Sequence, residues 1–264
     1  MQAQELEDRI AALPGWAYEF CFDGGIRTPT PGRAIVNRQQ QRRRYFFERL
    51  LSLTGGTLAG RRVLDLGCNA GFWSLQALDA GADFVLGLDT RESYLEQARL
   101  VFDAKGVEPS RHRFERADVF EHDFDEPFDV VLCLGLLDRV ARPLELFERI
   151  AGVGAELIVI DTEVSRARAP LFELTRLYDS RDAEHPLVLV PSRAAVAELA
   201  GMFDLRAVAL ALDIEDFDGM EDYRRQRRLA FICAGELPLD SLPEQPEPRL
   251  LPWWVRDPGA LLGV

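Results

Sequence analysis

Along the middle of the chain, apolar residues fall into short continuous runs separated by longer stretches of helical spacing. Val63-Leu-Asp-Leu, Phe84-Val-Leu-Gly-Leu, His112 to Ala117, Phe128 to Leu134 and Glu156 to Ile160 read as five strands. Between them, residues 71–80, 91–105 and 143–150 read as helices, the second stopped at Gly106. Strands that are apolar throughout, rather than alternating, are buried on both faces, and regular strand–helix alternation places them in a parallel sheet covered on both sides. Two later strands, over 205–212 and 228–234, follow a helix over 192–202 that Ser192 caps. The pattern predicts an α/β fold: a Rossmann-like, doubly wound, mostly parallel seven-stranded sheet.

The flanks are patterned more weakly. Residues 6–13 form a short helix stopped by Pro14-Gly15, and Trp16 to Phe22 alternates loosely and reads as a small strand before a turn at Asp23-Gly24-Gly25. Arg38 to Leu53 has a polar front and an apolar back, a helix ending near Gly55-Gly56. Residues 1–60 are therefore expected to form a helical and irregular cap that contributes to the active site, with the main domain over 61–237. Residues 162–191 are polar and too long for an ordinary connection, which predicts an insertion on the substrate side. Residues 238–264 are a proline-rich tail that Trp253-Trp254 could anchor across the surface.

Charge narrows the partners. Across 264 residues, 31 basic and 44 acidic side chains leave a net charge of −13, and Lys105 is the single lysine. Such a surface repels phosphate backbones and anionic lipid, which argues against a nucleic acid and for a small-molecule substrate. The basic clusters Arg42-Arg43-Arg44 and Arg224-Arg225-Gln226-Arg227-Arg228 are expected to be ion-paired, the second with Asp216, Asp218, Glu221 and Asp222. Cys21, Cys68, Cys133 and Cys233 are far apart without a CxxC pair, so no metal site is expected. No run is long and apolar enough to span a bilayer, and the acidic N-terminus is unlike a signal peptide. A cytoplasmic protein is expected.

The most specific segment is Val63-Leu-Asp-Leu-Gly-Cys-Asn-Ala-Gly-Phe-Trp-Ser-Leu. Gly67 and Gly71 flank the first strand-to-helix turn, at the carboxyl end of the sheet where open α/β folds place ligands. Glycine there lets backbone approach a ligand and leaves N–H groups free at the helix start. The spacing is not GxGxxG, and no GK[ST] follows, so neither a nicotinamide nor a triphosphate loop is indicated.

With Asp65, Gly67 and Gly71 as an acidic strand residue followed by GxxxG, the chain resembles the class I S-adenosylmethionine-dependent methyltransferases. Asp89 closes the second strand, Asp118-Val119 follow the third, and the fourth ends at Leu134-Gly135, in that family's order. The resemblance implies S-adenosylmethionine as cofactor and S-adenosylhomocysteine as product. It implies that Gly67, Cys68, Asn69 and Gly71 line the methionyl half, with Asp65 facing its ammonium directly or through water. It further implies that Asp89 takes the ribose hydroxyls, Asp118 the adenine amino group with Val119 beside it, and that Leu134 lies beneath the cofactor. Trp16, Phe22-Asp23-Gly24, Thr30-Pro31-Gly32 and Gly135-Leu-Leu with Arg142-Pro143-Leu144 are similar to the branch that includes the tRNA wobble-uridine carboxymethyltransferases. That branch commonly carries Tyr-His after Gly-Leu-Leu, whereas Asp138-Arg139 stand here, which together with the acidic charge argues against a tRNA substrate.

Methyl transfer from a sulfonium needs in-line alignment first and a general base second. His185, in the insertion near Asp182 and Glu184, is the first candidate base, with Asp138, Asp161 and Tyr178 as alternatives. Arg33 and Arg38, with Trp16, are candidates to close over the cofactor carboxylate, because an arginine fork suits a carboxylate. The expected activity is methyl transfer to an O or N nucleophile of a small polar metabolite, of the kind found in bacterial specialised metabolism. The alternatives are a tRNA-modifying enzyme, and a protein that binds the cofactor without methyl transfer or uses it in another reaction.

Overall fold

The computed structural model describes residues 2–30, 32–176 and 187–246. In chain order the helices are α1 (Ala3–Ala12), α2 (Arg33–Arg42), α3 (Glu48–Leu53), α4 (Phe72–Asp79), α5 (Glu92–Ala104), α6 (Pro143–Gly152), α7 (Arg193–Gly201) and α8 (Glu221–Arg224). The strands are β1 (Arg62–Leu66), β2 (Phe84–Asp89), β3 (His112–Arg116), β4 (Val130–Leu134), β5 (Leu157–Glu163), β6 (Phe172–Arg176), β7 (Leu187–Pro191), β8 (Arg206–Ala209) and β9 (Arg228–Ala234). Seven strands form one sheet in the order β3-β2-β1-β4-β5-β9-β8. The first five are parallel, and β9 joins β5 and β8 antiparallel. This is the expected doubly wound, mostly parallel fold, with the two late strands paired at one edge.

Successive strand residues feed opposite cores, because side chains alternate across a sheet. Val63, Val85, Val130, Leu132 and Val159 face a layer containing Trp73 of α4, Leu95 and Phe102 of α5 and the aromatic residues of the cap. Leu64, Leu86, Val131, Cys133 and Ile158 face a second layer built by Leu146 and Phe147 of α6 and Val196 and Leu199 of α7. The crossover after β1 is at the middle of the sheet, where strand order reverses toward β2 on one side and β4 on the other. That is the switch point at which open α/β sheets bind ligands.

The cap differs from expectation in two places. Trp16 to Phe22 is not a strand: a single bridge, Cys21 to Arg27, closes around a short helical turn at Asp23–Gly25. The long helix begins at Arg33 rather than Arg38 and runs to Leu53, with a π-turn over Arg43–Phe47 that buries Tyr45, Phe46 and Phe47 together. Wide turns of this kind concentrate at functional sites. Tyr45 ties the helix to the sheet, donating to Leu210 O at 2.9 Å and accepting from Ala230 N.

The 162–191 segment contains an unforeseen antiparallel pair, β6 with β7, in register Leu174 to Leu189. Ser192 caps α7 as predicted, accepting from Ala195 N at 3.0 Å. Leu239 and Leu242 of the tail are buried, and Gln245 bonds to β8 through Ala209 O. Trp253 and Trp254 lie outside the described residues. No described helix is long and apolar enough to cross a membrane.

Candidate active site

The turn from β1 into α4 is held by backbone. Gly67 N and Cys68 N both donate to Leu88 O of β2, and Gly71 N donates to Cys68 O. Gly67, Asn69 and Gly71 have positive φ, at 70°, 50° and 74°. At Gly71 a side chain would also press Phe102, Phe114 and Ala98 at 3.1–3.2 Å. Gly67, by contrast, is exposed and has no neighbour nearer than Leu136 at 3.8 Å, so its surface is an open cradle. The cradle precedes the N-terminus of α4, whose first N–H groups have no helical partner.

Asp89 sits beside the cradle at the end of β2. Its Oδ2 accepts from Asn69 N at 3.0 Å and its Oδ1 from Arg91 N at 2.9 Å. Each oxygen keeps lone pairs for a further donor. Burial raises the Asp89 carboxyl above its usual range, opposed by these two backbone N–H groups. Asp118, exposed after β3, accepts from Phe120 N with Oδ1, and Val119 behind it is buried. Leu134 is half-buried at the end of β4. The expected cofactor residues of β1 to β4 thus converge on one end of adjacent strands.

Asp65 is different from expectation in its immediate surroundings. It is 1% exposed and accepts from Ser74 Oγ of α4 at 2.6 Å, beneath the cradle rather than in it. Burial raises its carboxyl to about 7, with the Ser74 hydrogen bond pulling the other way.

On the other side of the switch point lies a buried charge network. Asp161, fully buried at the end of β5, accepts from Arg228 Nε and from the Tyr223 hydroxyl, and Arg42 Nε is 3.6 Å away. Burial alone would push Asp161 up, but Arg228, Arg42 and Tyr223 together hold it below the usual carboxylate range. Asp138 is 3% exposed, accepts from Thr162 Oγ1 at 3.2 Å and pairs with Arg228 Nη1 at 3.5 Å. A side chain at Gly135 would meet Arg228 Nη2 at 3.1 Å, which places this network directly against the turn after β4. Both acids are therefore committed to Arg228.

Of the arginines expected to clamp a carboxylate, Arg33 is exposed, and Arg38 forks onto Asp222 at 2.9 and 2.7 Å. Trp16 is core and donates to Ile10 O. The arginine with an unmet donor is Arg42, one turn beyond Arg38 and ion-paired with Asp161 at 3.6 Å. It is 7% exposed, its Nε has no hydrogen-bond partner, and its guanidinium stacks over Phe46 and Trp73 at 5.3 and 5.2 Å. Trp73 Nε1 is likewise buried without a partner. The i, i+4 relation of Arg38 and Arg42 on one helix face is visible in the sequence, but which of them is free depends on Asp222. Arg228 and Tyr223 were also missed, since only folding brings them to β5. His185 and Tyr178 lie outside the described residues.

The basic clusters divide. Arg43 pairs with Glu48, Arg44 with Asp213 and Glu215, and Arg42 with Asp161, as expected of an ion-paired helix. In the second cluster Arg228 is internal, and Arg224, Arg225 and Arg227 have no carboxylate partner among the described residues. The neighbouring acids are otherwise engaged: Asp222 with Arg38 and Asp216 Oδ1 with Asp218 N.

A doubly wound sheet with a glycine cradle after β1, a carboxylate after β2 and another after β3 is the arrangement that the resemblance to class I S-adenosylmethionine-dependent methyltransferases implies. Residues 63–155 match the family model described as a methyltransferase domain. The chain is similar to the ubiquinone biosynthesis O-methyltransferase of Neisseria meningitidis, 32% identical over 96 residues that make up 36% of this chain and 40% of the relative. It is 37% identical over 103 residues to the enzyme of the same name from Hahella chejuensis, covering 38% of this chain and 42% of the relative. The chain thus spans about two-fifths of the length of these curated relatives. Among solved structures it is similar to the N-terminal domain of EvdMO1 in the presence of SAH and D-fucose, with a TM-score of 0.66 and 24% identity over 90% of this chain and 98% of that one. Magnesium protoporphyrin IX methyltransferase from Synechocystis with bound SAM gives a TM-score of 0.56 and 15% identity over 86% and 90%. At these identities the structural likeness concerns the fold.

Proposed function

We propose that the whole protein is an S-adenosylmethionine-dependent methyltransferase that methylates an oxygen nucleophile of a small polar, hydroxylated metabolite in bacterial specialised metabolism. The single observation behind it is the convergence of the Gly67–Gly71 cradle, Asp89 and Asp118 on the carboxyl ends of three adjacent strands. O-methylation is favoured because the sequence relatives carry that activity in their names, and a sugar-like acceptor because D-fucose accompanies EvdMO1.

The residues present fit the cofactor: the cradle is open, backbone N–H groups edge it, and Asp89 is held ready by two backbone bonds. Bound S-adenosylmethionine would supply a methyl group whose transfer to the acceptor oxygen breaks the S–CH3 bond and leaves the electron pair on sulfur, with the hydroxyl proton passing to solvent water. Asp89 accepts the ribose hydroxyls, and Asp118 faces the adenine amino group. Arg42 takes the methionyl carboxylate in place of Arg33 or Arg38, because its Nε has no hydrogen-bond partner and its stacking on Trp73 fixes its direction. Asp65 acts on the ammonium from below, through water. Asp138 and Asp161, both engaged by Arg228, shape the floor under the acceptor instead of removing its proton. The chain's contribution is chiefly alignment.

The test combines calorimetry with product detection. S-adenosylmethionine should bind, and Gly67→Val should abolish binding by filling the cradle. S-adenosylhomocysteine should be released when hydroxylated acceptors, D-fucose among them, are supplied. Tight cofactor binding without any such release across a broad acceptor panel would establish a binding protein instead.

A further inference from the structure

The turn between α8 and β9 gathers three exposed arginines within four residues. Many surface arginines of this chain face carboxylates, as Arg27 does Glu19, Arg49 Asp213, Arg99 Glu92 and Arg113 Glu126, whereas Arg33 and Arg139 stand singly without one among the described residues. Arg224, Arg225 and Arg227 are exposed and, among the described residues, unpaired. Arg166, also exposed, joins them by donating from Nη2 to Arg225 O at 3.5 Å. In a chain of net charge −13, four arginines on neighbouring segments that make no ion pair among the described residues are better neutralised when an anion arrives.

The turn is fastened to the candidate site. Val164 N donates to Arg227 O at 2.8 Å, and Glu163 is opposite Arg228 in the β5–β9 ladder. Arg228 in turn reaches under Gly135. From Asp161 to Val164 is three residues of extended chain, roughly 10 Å. An anionic group held at the turn would therefore sit roughly 10 Å from Asp161.

We propose that Arg166, Arg224, Arg225 and Arg227 form the anion subsite for the acceptor, holding the phosphate or pyrophosphate of a phosphorylated, hydroxyl-bearing molecule while its hydroxyl is aligned for methylation. The assignment rests on the methyltransferase reading above. Guanidinium forks match phosphate oxygens in pairs, and four of them exceed what one carboxylate can accept. A polynucleotide fits less well, because the patch is one turn long and Glu163, Asp216, Asp218 and Glu221 flank it. The subsite takes no part in bond making; it fixes register.

The experiment titrates the full chain by calorimetry, with and without S-adenosylhomocysteine, using inorganic pyrophosphate, UDP-glucose, D-glucose and bulk tRNA. Pyrophosphate and UDP-glucose should bind and D-glucose should not. The double variant Arg225→Ala/Arg227→Ala should weaken both by about tenfold or more while leaving S-adenosylhomocysteine affinity and the thermal midpoint unchanged. No pyrophosphate binding, or binding equal in the variant, overturns the assignment. So does tRNA that displaces pyrophosphate and whose own binding falls steeply with salt, which would mark a polynucleotide contact. A chain that binds no S-adenosylhomocysteine fails the methyltransferase reading and takes the acceptor assignment with it. A chain that binds it but not pyrophosphate fails the assignment alone.

Discussion

The two sides of the switch point are built from different materials. On the β1–β3 side the surface is backbone: Gly67, Cys68 and Asn69 are placed by main-chain bonds to β2, and Asp89 is oriented by two N–H groups within 20 residues of it. On the β4–β9 side the surface is polar and charged side chain: Arg42, Asp138, Asp161, Tyr223 and Arg228 meet from five separate segments. Backbone binding tolerates a ligand's arrival because nothing charged must be uncovered. A buried ion network holds its geometry only while every partner stays, since removing one leaves an uncompensated charge in low dielectric. One side is thus an open backbone surface, and the other is a rigid wall of paired charge.

That contrast predicts where substitutions will be felt. The largest effect belongs to Arg228→Ala, which strips Asp161 and Asp138 of their shared partner. Stability by denaturant titration should fall by about 3–5 kcal/mol; a loss near zero would mean that the network is not a wall at all. Next is Asp65, whose folded pKa of about 7 lies above its ordinary 3.8. The folded state therefore holds this proton more tightly than the unfolded chain. The stability it confers is complete below pH 4 and disappears as pH climbs through 7, by up to about 4 kcal/mol. Asp65→Asn should lack that slope, so the wild-type minus variant difference should decline steadily between pH 4 and 7, and a difference that rises would reverse the assignment.

Asp89→Ala should act on binding rather than folding. S-adenosylhomocysteine affinity should drop by about 1–3 kcal/mol through lost charge-assisted hydrogen bonds, and unchanged affinity would remove Asp89 from the ribose. The smallest effect is expected at Arg38→Ala. Its fork to Asp222 is half-exposed, so stability should change by about 1 kcal/mol or less, and cofactor affinity should not move. Arg42→Leu, in contrast, should weaken the cofactor. If the Arg38 variant loses affinity and the Arg42 variant keeps it, the carboxylate has been given to the wrong arginine.

The backbone side is legible in the sequence because its signal is local. Asp65, Gly67 and Gly71 stand within seven residues, and the strand-ending acids Asp89 and Asp118 follow a parallel sheet's own repeat. The wall was only half legible. Asp138 and Asp161 stood out as acids after apolar strands, but nothing local says that Arg228, Tyr223 and Arg42 converge on them. For the same reason Arg38 looked available until Asp222 folded against it, and Arg224, Arg225 and Arg227 looked paired until Asp222 and Asp216 were found engaged elsewhere. The pair β6–β7 was hidden because its flanking stretch is polar, and Trp16 to Phe22 misled because loose alternation does not guarantee a partner strand.

Apolar runs, turn glycines and strand-end acids were enough to determine the sheet, its parallel order and the cradle, since short-range sterics and burial decide those features. The ownership of each ion could be decided only in three dimensions. Charge pairing depends on distances between segments far apart in the chain, and a single competing carboxylate reassigns an arginine without leaving any mark on its neighbours.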